Sequence, residues 1–211
     1  KQFRVQTLVL CPTRELADQV AVEIRRLARA IHNIKVLTLC GGTAFGPQIG
    51  SLEHGAHIIV GTPGRVEEHL RKKTLKLQHL TTFVLDEADR MLDMGFQPVV
   101  DEIIDYLPDT RQTLLFSATF PEQIESLAQR VMHNPMRVEV DTTHDSSSIK
   151  QYLYQVPDGT QRELALRLLL LHFNPESALV FCTTKQQTQE VAAELRQHGF
   201  SAQAINGDLD Q

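Results

Sequence analysis

The sequence holds no apolar run approaching the ~20 residues that a membrane-spanning helix needs. Its opening, KQFRVQTLVLCPTRE, does not read as a signal peptide. The apolar stretch is too short and leads into charged residues without a small-residue cleavage site. Cysteine is scarce: Cys11, Cys40 and Cys182 are the three, and no pair has C-x-x-C spacing, so a zinc site is not expected. The odd count and wide separation argue against a disulfide framework. Each cysteine sits in an apolar, strand-like run (LVLC, VLTLC, LVFC), and reduced, buried cysteines in a cytosolic protein are expected. Positive charge is not in excess: 21 Lys+Arg against 26 Asp+Glu give a formal net charge of −5. A polyanion would therefore be held only locally, by arginines, backbone amides and helix N-termini. The histidines (His32, His54, His57, His69, His79, His133, His144, His172 and His198) lack ligand spacing and read as surface or interface residues without a metal role. The phosphate-cradling pattern G-x-x-x-x-G-K-S/T occurs nowhere. There is no short internal repeat.

What is present is alternation. The 211 residues, 42% hydrophobic and 22% charged, suffice for one large domain or two modest ones. Predicted strands are VQTLVLC (5–11), IKVLTLC (34–40), HIIVGT (57–62), TFVLD (82–86), QTLLFSAT (112–119) and MRVEV (136–140). Helical spacing fills the gaps. It is clearest over 14–31, where Leu16, Val20, Ile24, Leu27 and Ile31 share a face, and recurs over 122–132 after Pro121. Such alternation predicts βαβ units and a parallel sheet flanked by helices, an α/β fold. The polar stretch DTTHDSSS (141–148) marks a linker, drawn at 142–148, between a first unit at 1–141 and a second at 149–211. In the second unit, strands are predicted at 149–156, 177–182 and 201–205, with helices at 162–173 and 185–199.

One stretch asks for an explanation. FVLDEADRMLDMGF (83–96) runs an apolar strand into Asp86, Glu87 and Asp89. Like charges repel, and a desolvated carboxylate is costly. In a parallel sheet, ligands bind beyond the carboxyl ends of the strands. Two acids there suit a divalent cation and a water, one acid holding the ion and the other acting on the water. A helix N-terminus enriched in acids for dipole reasons would produce the same letters. The companions favour the first reading: SAT (117–119), PTREL (12–16), GG (41–42) and TPGR (62–65) each end another predicted strand. Glycines admit a phosphate backbone close to main-chain amides, and Arg14 and Arg65 carry planar forks suited to phosphate. The basic run RKK (71–73) closes a predicted helix and reads as dipole-complementing and solvated, not as an RNA site.

PTRELA, GG followed by Gln48, TPGR, DEAD and SAT, then VFCTT (180–184) and GDLDQ (207–211), occur in this order along essentially the whole chain. The ordered set resembles the DEAD-box ATP-dependent RNA helicases, and the flanking text is most similar to the bacterial DbpA-type members. The resemblance implies a RecA-like domain over 1–141 and the start of a second RecA-like domain over 149–211. It implies ATP and Mg2+ as ligands. Asp86 would hold magnesium, largely through water, and Glu87 would act on the hydrolytic water. Asp89, Ser117 and Thr119 would couple the nucleotide state to domain closure. Pro12, Thr13, Arg14, Glu15, Gly41, Gly42, Thr62, Gly64 and Arg65 would line the path of one RNA strand. Thr184, Gly207, Asp208 and Gln211 would contact it from the second unit. Such contacts go to phosphate and 2′-hydroxyl groups. The resemblance further implies local duplex unwinding, a place in ribosome assembly with ribosomal RNA as a partner, a cytoplasmic location, no membrane, and a monomer. The alternatives are a non-catalytic nucleic-acid-binding scaffold, and DNA in place of RNA.

The sequence also departs from the family. The phosphate loop and an adenine-reading glutamine motif, which the family carries before PTREL, are not in it, and a later arginine-rich motif would fall beyond residue 211. Asn206 stands where a histidine is common. The expectation is an internal segment of a longer helicase. By itself it would neither hydrolyse ATP nor unwind RNA, and it would expose an apolar groove and unpaired strand edges.

Overall fold

The computed structural model describes residues 4–140, 149–157 and 159–207. The chain divides into two compact units, Lys1–Glu139 and Val140–Gln211. The predicted linker, His144, Asp208 and Gln211 lie outside the described residues.

The first unit is built on five strands: β1 (Thr7–Leu10), β2 (Val36–Leu39), β3 (Ile58–Gly61), β4 (Thr82–Leu85) and β5 (Gln112–Leu115). All pair in parallel, in the order β2-β3-β1-β4-β5. Each lies within a predicted run. The period of two puts alternate residues on opposite faces. Leu8, Leu10, Ile59, Phe83 and Leu85 face a large core, while Val9, Cys11, Cys40 and Val60 face a smaller one. Both faces are covered, as parallel sheets require.

Helix α1 (Arg14–Leu27) covers the smaller face. Its fully buried residues are Ala17 and Ala21, with Leu16, Val20 and Ile24 packed partly buried beside them. Small alanines bring the helix axis close to the sheet, so the larger side chains flank the contact. The helix also stops before its predicted end: residues 28–30 form a 3₁₀ turn, and Leu27 and Ile31 are exposed.

The larger face is covered by α2 (Phe45–Glu53), α3 (Pro63–Arg71), α4 (Ala88–Asp93), α5 (Gln97–Asp105) and α6 (Glu122–Val131). They contribute Val66, Leu70, Met91, Val100, Ile103, Ile124, Leu127 and Val131 to its core. Each such side chain contributes about 1.5–3 kcal/mol when taken from water. Gly61 closes β3 where space is shortest: a Cβ there would lie 2.5 Å from the Leu39 carbonyl oxygen and 2.8 Å from Val66 Cγ2.

The run 136–140 is not a strand, contrary to its pattern. Met136, Val138 and Val140 are exposed, and the segment pairs with no strand among the described residues. Alternating apolar residues make a strand only where a hydrogen-bonding neighbour and a covering layer exist.

The second unit carries α7 (Arg162–Phe173) and α8 (Lys185–Gln197) at their predicted places. Its three predicted strands are not observed: 149–156, 177–182 and 201–205 form no ladder among the described residues. Leu153, Leu179 and Phe181 are exposed there, so the apolar pattern lacks the burial that would reward pairing. Among the described residues no helix is long and apolar enough to cross a membrane.

Candidate active site and nucleic-acid interface

Sheet register assembles the site. Leu10 pairs with both Gly61 and Leu85, Leu39 with Gly61, and Leu85 with Leu115. All five strands therefore end in one line. The residues that follow them (Cys11–Arg14, Cys40–Thr43, Thr62–Arg65, Asp86–Asp89 and Phe116–Thr119) emerge at the same edge. That is the carboxyl edge at which parallel sheets bind ligands.

At the β4–β5 end lie the acids. The Asp86 amide donates to the Leu10 carbonyl (3.0 Å), extending the ladder by one residue before the chain turns. Glu87 makes the turn in the left-handed region, φ 50° and ψ 54°. A non-glycine residue there costs about 1 kcal/mol and is worth a functional reason. Asp86 Oδ1 accepts from the Glu87 amide at 3.1 Å, and Glu87 Oε2 pairs with Arg90 Nη1 at 3.1 Å. Burial raises the Asp86 pKa above the usual carboxylate range; the Glu87 charge adds to this and the Glu87 amide opposes it. The site thus penalises an uncompensated negative charge on Asp86.

Asp89 joins the ends of β4 and β5. Its Oδ2 accepts from the Thr119 hydroxyl (2.7 Å) and amide (2.9 Å), and its Oδ1 from the Arg90 amide (3.0 Å). The Asp89 amide donates to Ser117 Oγ at 3.2 Å, and the Ala88 amide to the Phe116 carbonyl at 3.0 Å. Burial raises the Asp89 pKa, but the bonds from Thr119, Arg90 and Ser117 together outweigh it and hold the group below its ordinary value. The three residues assigned to a polar link are thus in direct contact.

At the β1–β3 end the site has arginines and glycines. Thr13 caps α1, its hydroxyl accepting from the Leu16 amide at 3.3 Å. Arg14 and Glu15 are exposed, Thr13 is half-buried, and Pro12 is buried beneath them. The Arg14 guanidinium lies on Gly42, where φ is +77° and any Cβ would collide with it. Gly42 and Gly64 are exposed; Gly41 and Thr62 are half-buried.

Gln48 and His69, neither assigned a role by sequence, tie this half together. Gln48 Nε2 donates to the Cys40 carbonyl (3.0 Å) and to Thr43 Oγ1 (2.8 Å). Its Oε1 accepts from Arg65 Nη1 (2.9 Å) and bonds His69 Nε2 (2.9 Å). Arg65 Nη1 also reaches the Thr43 carbonyl (3.1 Å), and its Nε pairs with Glu68 (3.1 Å). The Arg65 side chain is 12% exposed, more brace than free fork. His69 corrects the expectation of a surface histidine: it is 0% exposed and stacks on Phe45, with ring centroids 4.2 Å apart. Burial first, then the charges of Arg65 and Lys72, lower its pKa to about 4 against an opposing push from Glu68. It is therefore neutral at pH 7. The available signal was helical spacing: on the helix that opens within TPGR, Arg65 and His69 lie at i and i+4. Of the RKK run, Arg71 pairs with Glu67 (2.9 Å) and Glu102 (3.2 Å), and Lys72 with Glu68 (2.7 Å) while lying over Phe45.

The cysteines follow expectation in the first unit, where Cys11 and Cys40 are buried and free; Cys182 is free and half-buried. Burial foremost, then the Asp86, Cys40 and Glu87 charges, push the Cys11 thiol up to about 12.

In the second unit, Thr184 repeats the Thr13 arrangement: it caps α8 with its hydroxyl accepting from the Gln187 amide at 3.1 Å. Gly207 lies beside Lys185, the first residue of that helix. These two assigned residues of the second unit thus share one helix N-terminus.

Known proteins with this sequence pattern were found. Residues 1–127 match the family model described as DEAD/DEAH box helicase. The chain is similar to the ATP-dependent RNA helicase DbpA of Escherichia coli (strain K12), 53% identical over 209 residues, covering 99% of this chain and 46% of that protein. It is also similar to the DEAD-box ATP-dependent RNA helicase CshA of Geobacillus kaustophilus (strain HTA426), 42% identical over 212 residues, covering 100% of this chain and 45% of that protein. The chain spans about half the length of these relatives. Among solved structures, a DEAD box protein from the hyperthermophile Methanococcus jannaschii is similar with a TM-score of 0.63 and 40% identity, over 98% of this chain and 55% of that one.

Proposed function

This chain belongs to the DEAD/DEAH box helicase family, and from that premise we propose that it is the part of an RNA-dependent ATPase that links ATP hydrolysis to local unwinding of RNA. The observation that supports this most is the common sheet edge, with acids at its β4–β5 end and arginines and glycines at its β1–β3 end. Hydrolysis at one end can then act mechanically on a strand held at the other.

Asp86 is the residue we assign to a magnesium ion. A half-buried carboxylate penalised by burial and by Glu87 fits a divalent cation, which relieves both. Among the described residues no cluster of three or more metal-type side chains occurs. An ion held by one carboxylate, with waters and phosphate oxygens completing its shell, suits such a site. Magnesium supplies charge neutralisation at the transferred phosphoryl group. Glu87 orients the attacking water and takes its proton at a carboxylate oxygen. Asp89, Ser117 and Thr119 carry changes at this end to the β5 connection. Thr13, Arg14, Glu15, Gly41, Gly42, Thr62, Gly64 and Arg65, on the support of buried Pro12, hold a single strand by its phosphates and 2′-hydroxyls. Thr184 and Gly207 add contacts from the second unit, as do Asp208 and Gln211.

We extend the proposal to a first unit at 1–141, a linker at 142–148 and a second unit at 149–211. We also extend it to a cytoplasmic, monomeric protein working on ribosomal RNA in ribosome assembly; that part rests on the family resemblance alone. The 211 residues contain no G-x-x-x-x-G-K-S/T loop, so the chain alone is expected to show no ATP turnover above background.

The test is RNA-stimulated ATP hydrolysis by the full-length protein. Glu87→Gln should lower kcat by about 100-fold or more while nucleotide still binds. Undiminished hydrolysis by Glu87→Gln sinks the assignment. Strand displacement on matched RNA and DNA duplexes decides the substrate.

A further inference from the structure

The turn after β2 and Arg65 of α3 belong to different segments of the chain. Arg65 Nη1 reaches the Thr43 carbonyl directly (3.1 Å), and the Gln48 amide adds a second bridge between them. Gln48 uses both donors on the turn, at the Cys40 carbonyl and Thr43 Oγ1, and both acceptor positions on α3, toward Arg65 and His69. This fixes the amide's orientation. Turned over, it would point its NH2 group at the Arg65 guanidinium and set donor against donor.

His69 braces that orientation from the α3 side. It is buried completely, stacked on Phe45, and bonded through Nδ1 to Thr74 Oγ1 at 2.8 Å. A neutral imidazole has one donor and one acceptor. With Nε2–H given to Gln48 Oε1, Nδ1 is left as an acceptor facing Thr74 Oγ1, whose one hydroxyl proton lies within reach of both Nδ1 (2.8 Å) and the His69 carbonyl (3.1 Å).

We infer that His69 is a positioning residue for RNA: a buried imidazole that never touches the nucleic acid, yet holds Gln48 so that the Gly41–Thr43 turn and Arg65 present a single preformed surface. This inference rests on the reading that the β1–β3 end of the edge binds RNA. Preformation matters because ordering a loop and a long side chain on binding would be subtracted from affinity. The arrangement also accounts for Arg65. Its guanidinium is already bonded to Gln48, the Thr43 carbonyl and Glu68, so it enters binding without having to be ordered.

The test uses the full-length protein and a single-stranded RNA homopolymer, reading the RNA concentration that half-stimulates ATP hydrolysis. His69→Phe keeps a ring against Phe45 and removes the donor. It should raise that concentration about fivefold, the equivalent of about one net hydrogen bond, and change it more than it changes kcat. His69→Gln restores an N–H and an oxygen at similar reach and should return to within about twofold of wild type. Thr43→Val is exposed and cuts the same network from its far side; it should raise the value about two- to fivefold, and it serves if His69→Phe does not fold. Arg65→Ala separates the two levels of the argument. If Arg65→Ala leaves RNA stimulation unchanged, this edge does not bind RNA, and both the reading and the inference fall. If Arg65→Ala weakens stimulation while His69→Phe and Thr43→Val do not, or if His69→Gln is as defective as His69→Phe, the inference alone falls.

Discussion

Acidification from pH 7 to pH 5 should cost the folded protein about 2 kcal/mol through His69 alone. The imidazole is 0% exposed. Burial, then the Arg65 and Lys72 charges, bring its pKa from 6.5 to about 4, with Glu68 opposing. The charged groups facing it are those three; Gln48, Phe45 and Thr74, from the other elements around it, do not titrate. The Lys72 hydrogen bond holds the Glu68 carboxyl below its ordinary value. Between pH 4 and 6.5 the unfolded chain binds a proton at this position that the folded chain refuses. Stability therefore rises with pH there: the contribution is complete above about pH 6.5 and is lost as pH falls toward 4. The full gap corresponds to about 3 kcal/mol, of which about 2 is spent by pH 5. His69→Gln has no proton to bind, so other histidines and carboxylates cancel in the comparison. Urea unfolding at pH 7 and pH 5 should show the wild type losing about 2 kcal/mol more than the variant, a midpoint difference near 1 M for a typical m-value. Equal losses, or a His69 proton resonance that titrates near pH 6.5, refute the reasoning.

Three further outcomes follow from the geometry. Gly61→Ala sets a methyl against the backbone oxygen of Leu39, which cannot yield as a side chain would; a loss of about 2–3 kcal/mol in urea unfolding is expected, and wild-type stability would contradict it. Thr119→Val removes the hydroxyl bond to Asp89 and leaves the amide bond. Duplex displacement by the full-length protein should fall about tenfold for a stability loss of about 1 kcal/mol, and unchanged displacement would remove Thr119 from the coupling role. Cys11, with its thiol pushed up to about 12 by burial first and by Asp86 next, should resist alkylation at pH 8 while half-buried Cys182 is modified first. Peptide mass mapping reads the order, and early labelling of Cys11 would overturn its burial.

The acids of FVLDEADRMLDMGF were legible because their neighbours are. An apolar run followed by Asp86 is a strand ending in a carboxylate, and the same logic holds at Pro12, Gly41, Thr62 and Ser117. Each needs only residues within its own segment. The second unit was half legible: its helices stand where the spacing puts them, Arg162–Phe173 and Lys185–Gln197, while its apolar runs lack ladders. Helices close their hydrogen bonds locally; strands depend on neighbours. The same difference explains 136–140, where the pattern lacks a partner among the described residues.

By itself, then, the sequence determined the alternation of strands and helices and the chemistry at each strand end, since both follow from short-range periodicity and residue type. Tertiary structure alone decided what those ends do to one another. Strand register brought five of them into line. Contacts between residues far apart in the chain set Thr119 on Asp89, Arg14 on Gly42, and His69 on Gln48. Burial is a property of the assembled molecule, and it made His69, one of nine histidines in the sequence, a fully buried partner of Gln48.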